Sequence, residues 1–249
     1  MNKNTIFWVS GLLIVLFLVI TTIFLVCLYS NKTVTLGFNY DINDYNSSVD
    51  PFLDAGCIND GQNYITCKDT KITKDFGCLD SLYLAKASLE FGTPLYNCDI
   101  PVYSDNDVLI SDAEKKEYFE CGGGLLQLCK SYIFYDNNKS IFSQIKNKDA
   151  FLSFVGDINS KEKALALVLL FERGYSKLTI DNKVFNSKLV SNNDESYLVT
   201  VYNSDKSFGC YDTINYESIV YKVTPLGNIT EESRKIIYSE RLPYELCVD

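Results

Sequence analysis

The chain has 249 residues, a formal net charge of −9 and no histidine. This acidic balance argues against nucleic acid and anionic lipid surfaces as partners, since both are bound through lysine and arginine. The absence of histidine excludes Ser-His-Asp and Cys-His nucleophile systems as well as zinc hydrolases with histidine ligands.

The first predicted element is an uncharged apolar run from Ile6 to Tyr29. A helix of this length reaches roughly 36 Å at ~1.5 Å per residue, enough to cross a hydrocarbon core of about 30 Å. No small-residue cleavage site follows the run, as a secretory signal would require. We therefore interpret residues 1–5 as a cytoplasmic tip and residues 6–29 as a transmembrane anchor. Lipidation at Cys27 is the weaker alternative, because Val26 precedes it where a small residue is expected.

A polar segment follows over residues 30–56, rich in Asn, Ser and Asp. This composition predicts a stalk with one short strand at Val34 to Phe38. Asp41 and Asn43 have the spacing of calcium-loop ligands, but Tyr45 occupies the next ligand position. We therefore predict a solvated linker, and we predict no metal or cofactor site anywhere in the chain.

Eight cysteines lie beyond the apolar run. They are Cys57, Cys67, Cys78, Cys98, Cys121, Cys129, Cys210 and Cys247. An even set at this density predicts disulfides and an oxidising compartment, whereas zinc binding lacks both Cys-x-x-Cys pairs and histidine. The predicted location is a single-pass membrane protein with its N-terminus in the cytoplasm and its C-terminal body outside.

Sequence alone does not choose among the pairings that eight cysteines allow. Short loops favour four pairs, Cys57 with Cys67, Cys78 with Cys98, Cys121 with Cys129, and Cys210 with Cys247, the last closing the C-terminal sheet. Four Asn-x-Ser/Thr sequons are candidate N-glycosylation sites, at Asn31, Asn46, Asn138 and Asn228. A chain this rich in Asn, Ser and Thr contains such sequons by chance, so they do not establish export.

Residues 57–146 are predicted to form a cysteine-rich α+β lobe. Apolar residues at helical spacing predict a helix from Cys78 to Phe91, which Gly92 terminates. Ser111 to Glu114 has a capping-box pattern and predicts a second, short helix that ends at Gly122.

The same lobe contains a predicted hairpin. Two apolar runs, Leu125 to Tyr135 and Ser140 to Ile145, flank the turn sequence Asp136 to Lys139. Tyr132 and Phe134 crowd beside Tyr135, which indicates a platform for stacking on sugars, although aromatic residues are common in strands for packing alone.

Residues 147–249 are predicted to form a helix packed on an antiparallel sheet. Asn159 or Ser160 caps a helix over Lys161 to Arg173, and Gly174 ends it. The predicted strands are Lys177 to Ile180, Val184 to Leu189, Tyr197 to Tyr202, Ser218 to Thr224 and Lys235 to Tyr238. This is the topology of cystatin or PepSY folds, a comparison that carries no function.

Four segments carry a resemblance to a family: Asp157 to Ala166, Ser196 to Tyr202, Phe208 to Cys210, and Leu246 to Asp249. In these segments the chain resembles the closing half of uncharacterised exported proteins from prokaryotes. The resemblance covers residues 120–249. It implies that Cys210 and Cys247 belong together, and it brings no activity with it.

The sequence therefore predicts an α+β protein whose function is non-catalytic. It would be a membrane-anchored extracytoplasmic module that binds a protein or surface ligand by a rigid surface. One alternative is a structural or assembly component of a cell or virion surface. The other is an extracellular hydrolase that uses two carboxylates, which requires a deep pocket and carboxyl groups of raised pKa. No motif singles out two acids, so no catalytic residue is predicted.

Overall fold

The computed structural model of the chain describes residues 33–37, 51–59, 64–104, 107–122, 127–172, 174–192, 195–205 and 209–248. In chain order the strands are β1 (Val34–Gly37), β2 (Ile58–Asn59), β3 (Tyr64–Thr66), β4 (Ser81–Leu84), β5 (Tyr96–Pro101), β6 (Tyr103–Ser104), β7 (Asp107–Val108), β8 (Glu120–Gly122), β9 (Leu128–Asp136), β10 (Ile141–Ile145), β11 (Lys177–Ile180), β12 (Lys183–Asn186), β13 (Leu189–Ser191), β14 (Tyr197–Ser204), β15 (Gly209–Val223) and β16 (Ile229–Val248). The helices are α1 (Pro51–Asp54), α2 (Lys71–Phe76), α3 (Lys148–Val155) and α4 (Lys161–Phe171), with 3₁₀ turns at Lys86–Phe91 and Glu114–Glu117.

These strands form three main antiparallel sheets. The largest has the order β10-β9-β5-β4-β3-β2, and β8 also pairs with β9. The second sheet has the order β13-β14-β15-β16, the third β1-β11-β12, and β6 and β7 form a separate ribbon. The described chain is thus mostly β-sheet with a few short helices, and the predicted α+β class is wrong.

The segment Cys78 to Phe91 shows why the predicted class failed. Within β4, Leu82 and Leu84 are buried while Ser81 is exposed and Tyr83 is half-buried, and β4 pairs with both β3 and β5. Spacing of two residues is the repeat of a strand, and cross-strand pairing outweighs the weak helical pattern here. Helical geometry survives only in the 3₁₀ turn, which Gly92 ends with a positive φ of 78°.

The predicted membrane topology also requires correction. None of the helices among the described residues is long and apolar enough to span a membrane, and α4, the longest, has 11 residues. This finding contradicts the predicted transmembrane helix, signal anchor and single-pass location with a cytoplasmic N-terminus. The apolar run from Ile6 to Tyr29, on which they rested, lies outside the described residues.

The predicted capping box at Ser111 is present, but the helix behind it is short. The backbone N–H of Ser111 donates to the Glu114 carboxylate at 2.8 Å, and the N–H of Glu114 donates back to the Ser111 hydroxyl at 3.3 Å. Only one 3₁₀ turn follows, because Glu120 already starts β8 and pairs with Lys130 of β9.

Helix α4 begins where it was predicted but ends at Phe171, with Glu172 as its C-cap, two residues before the predicted end at Arg173. The Ser160 hydroxyl accepts the N–H of Lys163 at 3.1 Å, which identifies Ser160 as the N-cap. The sheet around it differs from the predicted single meander. Strand β11 is not part of the C-terminal sheet and pairs with β1 instead. The predicted strand from Val184 to Leu189 is interrupted at Ser187, whose N–H and hydroxyl both donate to the Ser176 carbonyl.

Strands β14 and β15 are covered on both faces. One face, formed by Val199, Val201, Ile219, Tyr221 and Val223, lies in the same core as α4. The opposite face carries Tyr202, Ile214 and Tyr216, which pack against Leu178 and the rest of the β1-β11-β12 sheet. Alternation along each strand explains this division, since successive side chains point to opposite faces.

The largest core joins both parts of the chain. It contains Ala85, Leu95, Tyr132 and Phe134 from the first part, together with Phe151, Ile158 and the buried side of α4 from the second. A second core surrounds the disulfides, where Phe52 is 1% exposed and lies 4.3 Å from the ring of Tyr96. Val34 and Phe52, both within the segment interpreted as a stalk, therefore take part in the folded body.

Three of the predicted disulfides are present. They join Cys57 to Cys67, Cys78 to Cys98, and Cys121 to Cys129. The backbone of β15 and β16 pairs Cys210 directly with Cys247. A bridge between these two stays a prediction, which the backbone register supports.

The fourth bridge can be tested on the intact protein. Mass spectrometry without reduction should find Cys210 and Cys247 in one linked peptide, and replacing either by Ser should lower the free energy of unfolding by about 2–5 kcal/mol, as for native bridges in small exported domains. Free thiols at both positions, with unchanged stability of the variants, would contradict the pairing.

The turn between β15 and β16 yields a second prediction. Gly227 has a φ of 79°, and a Cβ there would overlap the Leu152 side chain of α3. We expect Gly227→Ala to lower the free energy of unfolding in urea by about 2–4 kcal/mol, from left-handed strain plus overpacking. Gly92→Ala is the matched control, since Gly92 has a φ of 78° and nothing within 4 Å of its added Cβ. Equal losses in the two variants would rule out the clash.

Candidate binding groove beside the β9–β10 hairpin

Asp136 fixes the turn of the β9–β10 hairpin. Its carboxylate accepts the backbone N–H groups of Asn138 at 3.0 Å and Lys139 at 3.3 Å, and lies 3.2 Å from the Lys139 ammonium. The N–H of Lys139 also donates to the Asp136 carbonyl at 3.2 Å. An Asp at this position stabilises the turn by replacing backbone acceptors, so the hairpin predicted from the sequence has a local cause.

Helix α3 packs beside this hairpin. Asn147 caps it by accepting the N–H of Ala150 at 2.9 Å, and the Asn147 amide donates to the Glu117 carbonyl at 3.2 Å. Near the other end of the helix, the rings of Phe154 and Phe134 lie 4.4 Å apart between centroids. These contacts fix the helix against one face of the hairpin.

A surface groove of about 520 Å³ lies between them, which we name the hairpin groove. It is lined by Thr93, Phe134, Tyr135, Asp136, Asn137, Asn138, Lys139, Ser143, Gln144, Ile145, Ala150 and Phe154. The register pairs Phe134 with Ser143, so their side chains share one face of the hairpin. The volume falls within the range of ligand pockets, roughly 300–1,000 Å³.

The hairpin groove combines aromatic rings with hydroxyl and amide groups. The half-buried Phe154, packed against the buried Phe134, supplies apolar surface, while Thr93, Ser143 and Asn137 supply donors and acceptors. Its one carboxylate and one ammonium belong to the ion pair in the turn. The lysine lowers the pKa of Asp136 below its ordinary value, with further help from the backbone N–H groups. A charged ligand therefore finds no excess of opposite charge in the groove.

A smaller recess of about 330 Å³ lies at the N-terminal end of α3. Tyr118, Phe119 and Phe171 line it, together with Lys148, whose ammonium lies 5.5 Å from the centre of the Phe171 ring. Asp149 and Glu172 also line this recess. It is the smaller of the two described recesses and has fewer hydroxyl and amide groups.

Asp99 is a carboxyl group of raised pKa, and it lies outside both recesses. Burial raises its pKa, and attraction by Lys130, its partner across the ladder, only partly opposes this. One carboxylate oxygen is buried with no hydrogen-bond partner among the described residues. Burial also raises the pKa of the nearby Tyr132 hydroxyl, with smaller effects from Tyr83 and Asp99. Since the described recesses do not include Asp99, it is not placed to act on a ligand there.

Some of the residues singled out in the sequence meet at the hairpin groove. Phe134 and Tyr135 of the aromatic platform are among its lining residues, although Phe134, like Tyr132, is buried in the core. Asn138, one of the four sequon asparagines, is exposed on its rim, and Asn228 is exposed in the β15–β16 turn. Asn31 and Asn46 lie outside the described residues.

Thr93, Ser143 and Phe154 were not singled out by the sequence. They come from three separate segments that meet only through packing of the hairpin, α3 and the loop before β5. No local motif marks them. The disulfide cysteines that the structure describes are mostly buried in the second core and do not line the groove.

Comparison of the chain with protein-family models, curated proteins and solved structures found no match. The resemblance to exported prokaryotic proteins therefore stays a prediction. Function has to be inferred from the geometry and chemistry of the chain itself.

Asp99 gives a prediction of pH dependence. Because its pKa is raised above 3.8 in the folded protein, folding takes up a proton there, and the free energy of unfolding falls as pH rises from about 3.8 through the raised value. Asp99→Asn carries no charge at any pH. We expect this variant to be more stable than the wild type at pH 7 and to lose that advantage below pH 3.8, as measured by urea unfolding across pH.

For Asp136→Asn, the change in the free energy of unfolding relative to the wild type should have the opposite sign at neutral pH: this variant should be less stable. The pKa of Asp136 is lowered, so its contribution to stability is present at neutral pH and is lost as pH falls below the ordinary value of 3.8. Parallel pH profiles for the two variants would contradict both assignments.

Proposed function

We propose that the protein is a non-catalytic recognition module that binds a neutral polar ligand of the saccharide class in the hairpin groove. The observation that carries this proposal is the composition of the groove: aromatic rings beside hydroxyl and amide groups in one concavity of about 520 Å³. A concave site of this size with a few convergent polar groups is the default hypothesis for where a protein binds a small ligand.

Saccharides match both parts of this lining. Their C–H faces pack on aromatic rings such as the half-buried ring of Phe154, and their hydroxyl groups both donate and accept hydrogen bonds. Thr93 and Ser143 carry hydroxyls that can do the same, and the Asn137 amide offers a donor and an acceptor side by side. The Asp136–Lys139 ion pair leaves the groove without an excess of charge, which favours a neutral ligand.

The state of Asp136 favours binding over hydrolysis. A carboxylate mechanism needs one acid of raised pKa and a second carboxylate beside the scissile bond. Asp136 is the carboxylate of the groove, its pKa is lowered, and its oxygens hold the turn and Lys139. Asp99, whose pKa is raised, does not line the groove.

The disulfides favour a compartment in which such ligands are displayed. Three bridges among the described residues fit an oxidising, extracellular setting, since cytosolic thiols are kept reduced. They also stiffen the sheet that carries the hairpin, because Cys98 lies on β5 and Cys129 on β9. A rigid groove loses little conformational entropy when it binds a ligand.

The proposal is tested by saccharide binding. Immobilised neutral mono- and oligosaccharides of N-acetylglucosamine, galactose, mannose and glucose are screened with the disulfide-bonded protein, and each hit is measured by calorimetry. The double variant Thr93→Val, Ser143→Ala removes two groove hydroxyls with little change in shape. We expect it to weaken binding about tenfold or more, since two hydrogen bonds of ~1 kcal/mol each are lost.

A matched double variant controls for the substitutions themselves. Thr35→Val with Ser233→Ala makes the same chemical changes at exposed positions on β1 and β16, outside the groove. It should bind as the wild type does. Equal weakening in both double variants, or binding to no saccharide at all, would refute the proposed function.

A further inference from the structure

Asn138 combines a sequon with a place on the groove rim. It is followed by Lys139 and Ser140, it is exposed, and it lines the hairpin groove. Its backbone N–H is held by the Asp136 carboxylate at 3.0 Å, so the turn presents this residue in a defined position. Asn228, the other described sequon asparagine, is also exposed but does not line the groove.

We infer that Asn138 is an N-glycosylation site whose glycan controls access to the hairpin groove. The modification itself follows from the sequon, its exposure and an oxidising compartment, which disulfides and N-glycans share. Control of the groove rests on the proposed function, because only a groove that binds saccharides would take up the sugars attached at its rim.

The transfer needs a donor that the secretory pathway supplies, a lipid-diphosphate-linked oligosaccharide. The Asn138 amide nitrogen forms a bond to the anomeric carbon of the first sugar, and the bond from that carbon to the diphosphate oxygen breaks. The lipid diphosphate leaves with the electron pair, and the amide nitrogen gives up one proton. The product carries its first N-acetylglucosamine residues at the rim of the groove.

A tethered sugar competes with free ligand by proximity. A short flexible tether gives an effective concentration of about 1 mM, so a tethered sugar whose own Kd for the groove is ~0.1 mM weakens the binding of free ligand roughly tenfold. The distance from Asn138 to the rest of the lining is short because the asparagine is itself part of that lining. The unmodified protein therefore binds free ligand, and the modified protein has its groove occupied by its own glycan.

Ser140→Gly separates the modification from the groove. It destroys the sequon, leaves Asn138 in place, and does not alter a residue of the groove lining. Ser140 has a φ of 54°, a conformation that glycine adopts without strain, so this variant is expected to fold. Asn228→Gln is the control that removes the other described sequon and leaves the groove untouched.

The experiment uses the full chain made in two ways: in the secretory pathway of a eukaryotic cell, and in a bacterial periplasm that forms disulfides without transferring this glycan. The glycosylated asparagines are identified by mass spectrometry after a glycosidase has removed the glycans. Binding of diacetylchitobiose is measured by calorimetry. We expect a glycan at Asn138 in the secreted wild type. We also expect secreted Ser140→Gly to bind the probe about tenfold more tightly than the secreted wild type and Asn228→Gln.

The outcomes distinguish this inference from the proposed function. An unmodified Asn138 in secreted protein whose Asn228 is modified would overturn the inference. A modified Asn138 with equal probe affinity in the secreted wild type and Ser140→Gly would overturn its control of the groove. If the periplasmic wild type binds neither this probe nor any saccharide of the panel, the proposed function fails, whatever the map shows at Asn138.

Discussion

Strand β9 separates the two main cores, and the rest of the described structure depends on its being buried from both sides. Cys129 and Ile133 lie in the disulfide-containing core, while Tyr132 and Phe134 lie in the core shared with α4. Its alternating side chains therefore set which layer covers each face. On the same strand, the buried Ser131 hydroxyl donates to the Cys98 carbonyl of β5 and accepts a hydrogen bond from the Gln144 amide of β10. These two bonds join β9 to both neighbouring strands.

The sequence predicts those parts of the fold whose causes are local. Asp136 and the turn residues after it predict the β9–β10 hairpin, and Ser160 predicts the start of α4. The short loops between cysteines predict three of the disulfide pairs. Its errors occur where distant partners decide the outcome. Leu82 and Leu84 belong to a strand because β3 and β5 pair with it on either side. No sequence pattern within residues 78–91 predicts that pairing.

The same limit applies to the candidate site and to the C-terminal sheet. Thr93, Ser143 and Phe154 meet through packing between segments that are separate in sequence, so the groove has no linear motif. Leu178 and Val34 share a core because β11 turns away from β14 to pair with β1 at the beginning of the chain. Phe134, Tyr135 and the sequon residue Asn138 were singled out in the sequence and line the groove, but the sequence did not show which faces of the hairpin they occupy.

The shared core has a consequence for the order of synthesis. A chain that emerges from its N-terminus completes β9 before α3 and α4 exist, although Tyr132 packs against Phe151 and Phe134 against Phe154. Until α3 and α4, which end at Phe171, have appeared, one apolar face of the largest sheet is exposed to water, a state prone to association. The cysteines of the Cys57–Cys67 and Cys78–Cys98 bridges emerge before that point, so these bridges can form and constrain the first half of the chain before α3 and α4 cover it.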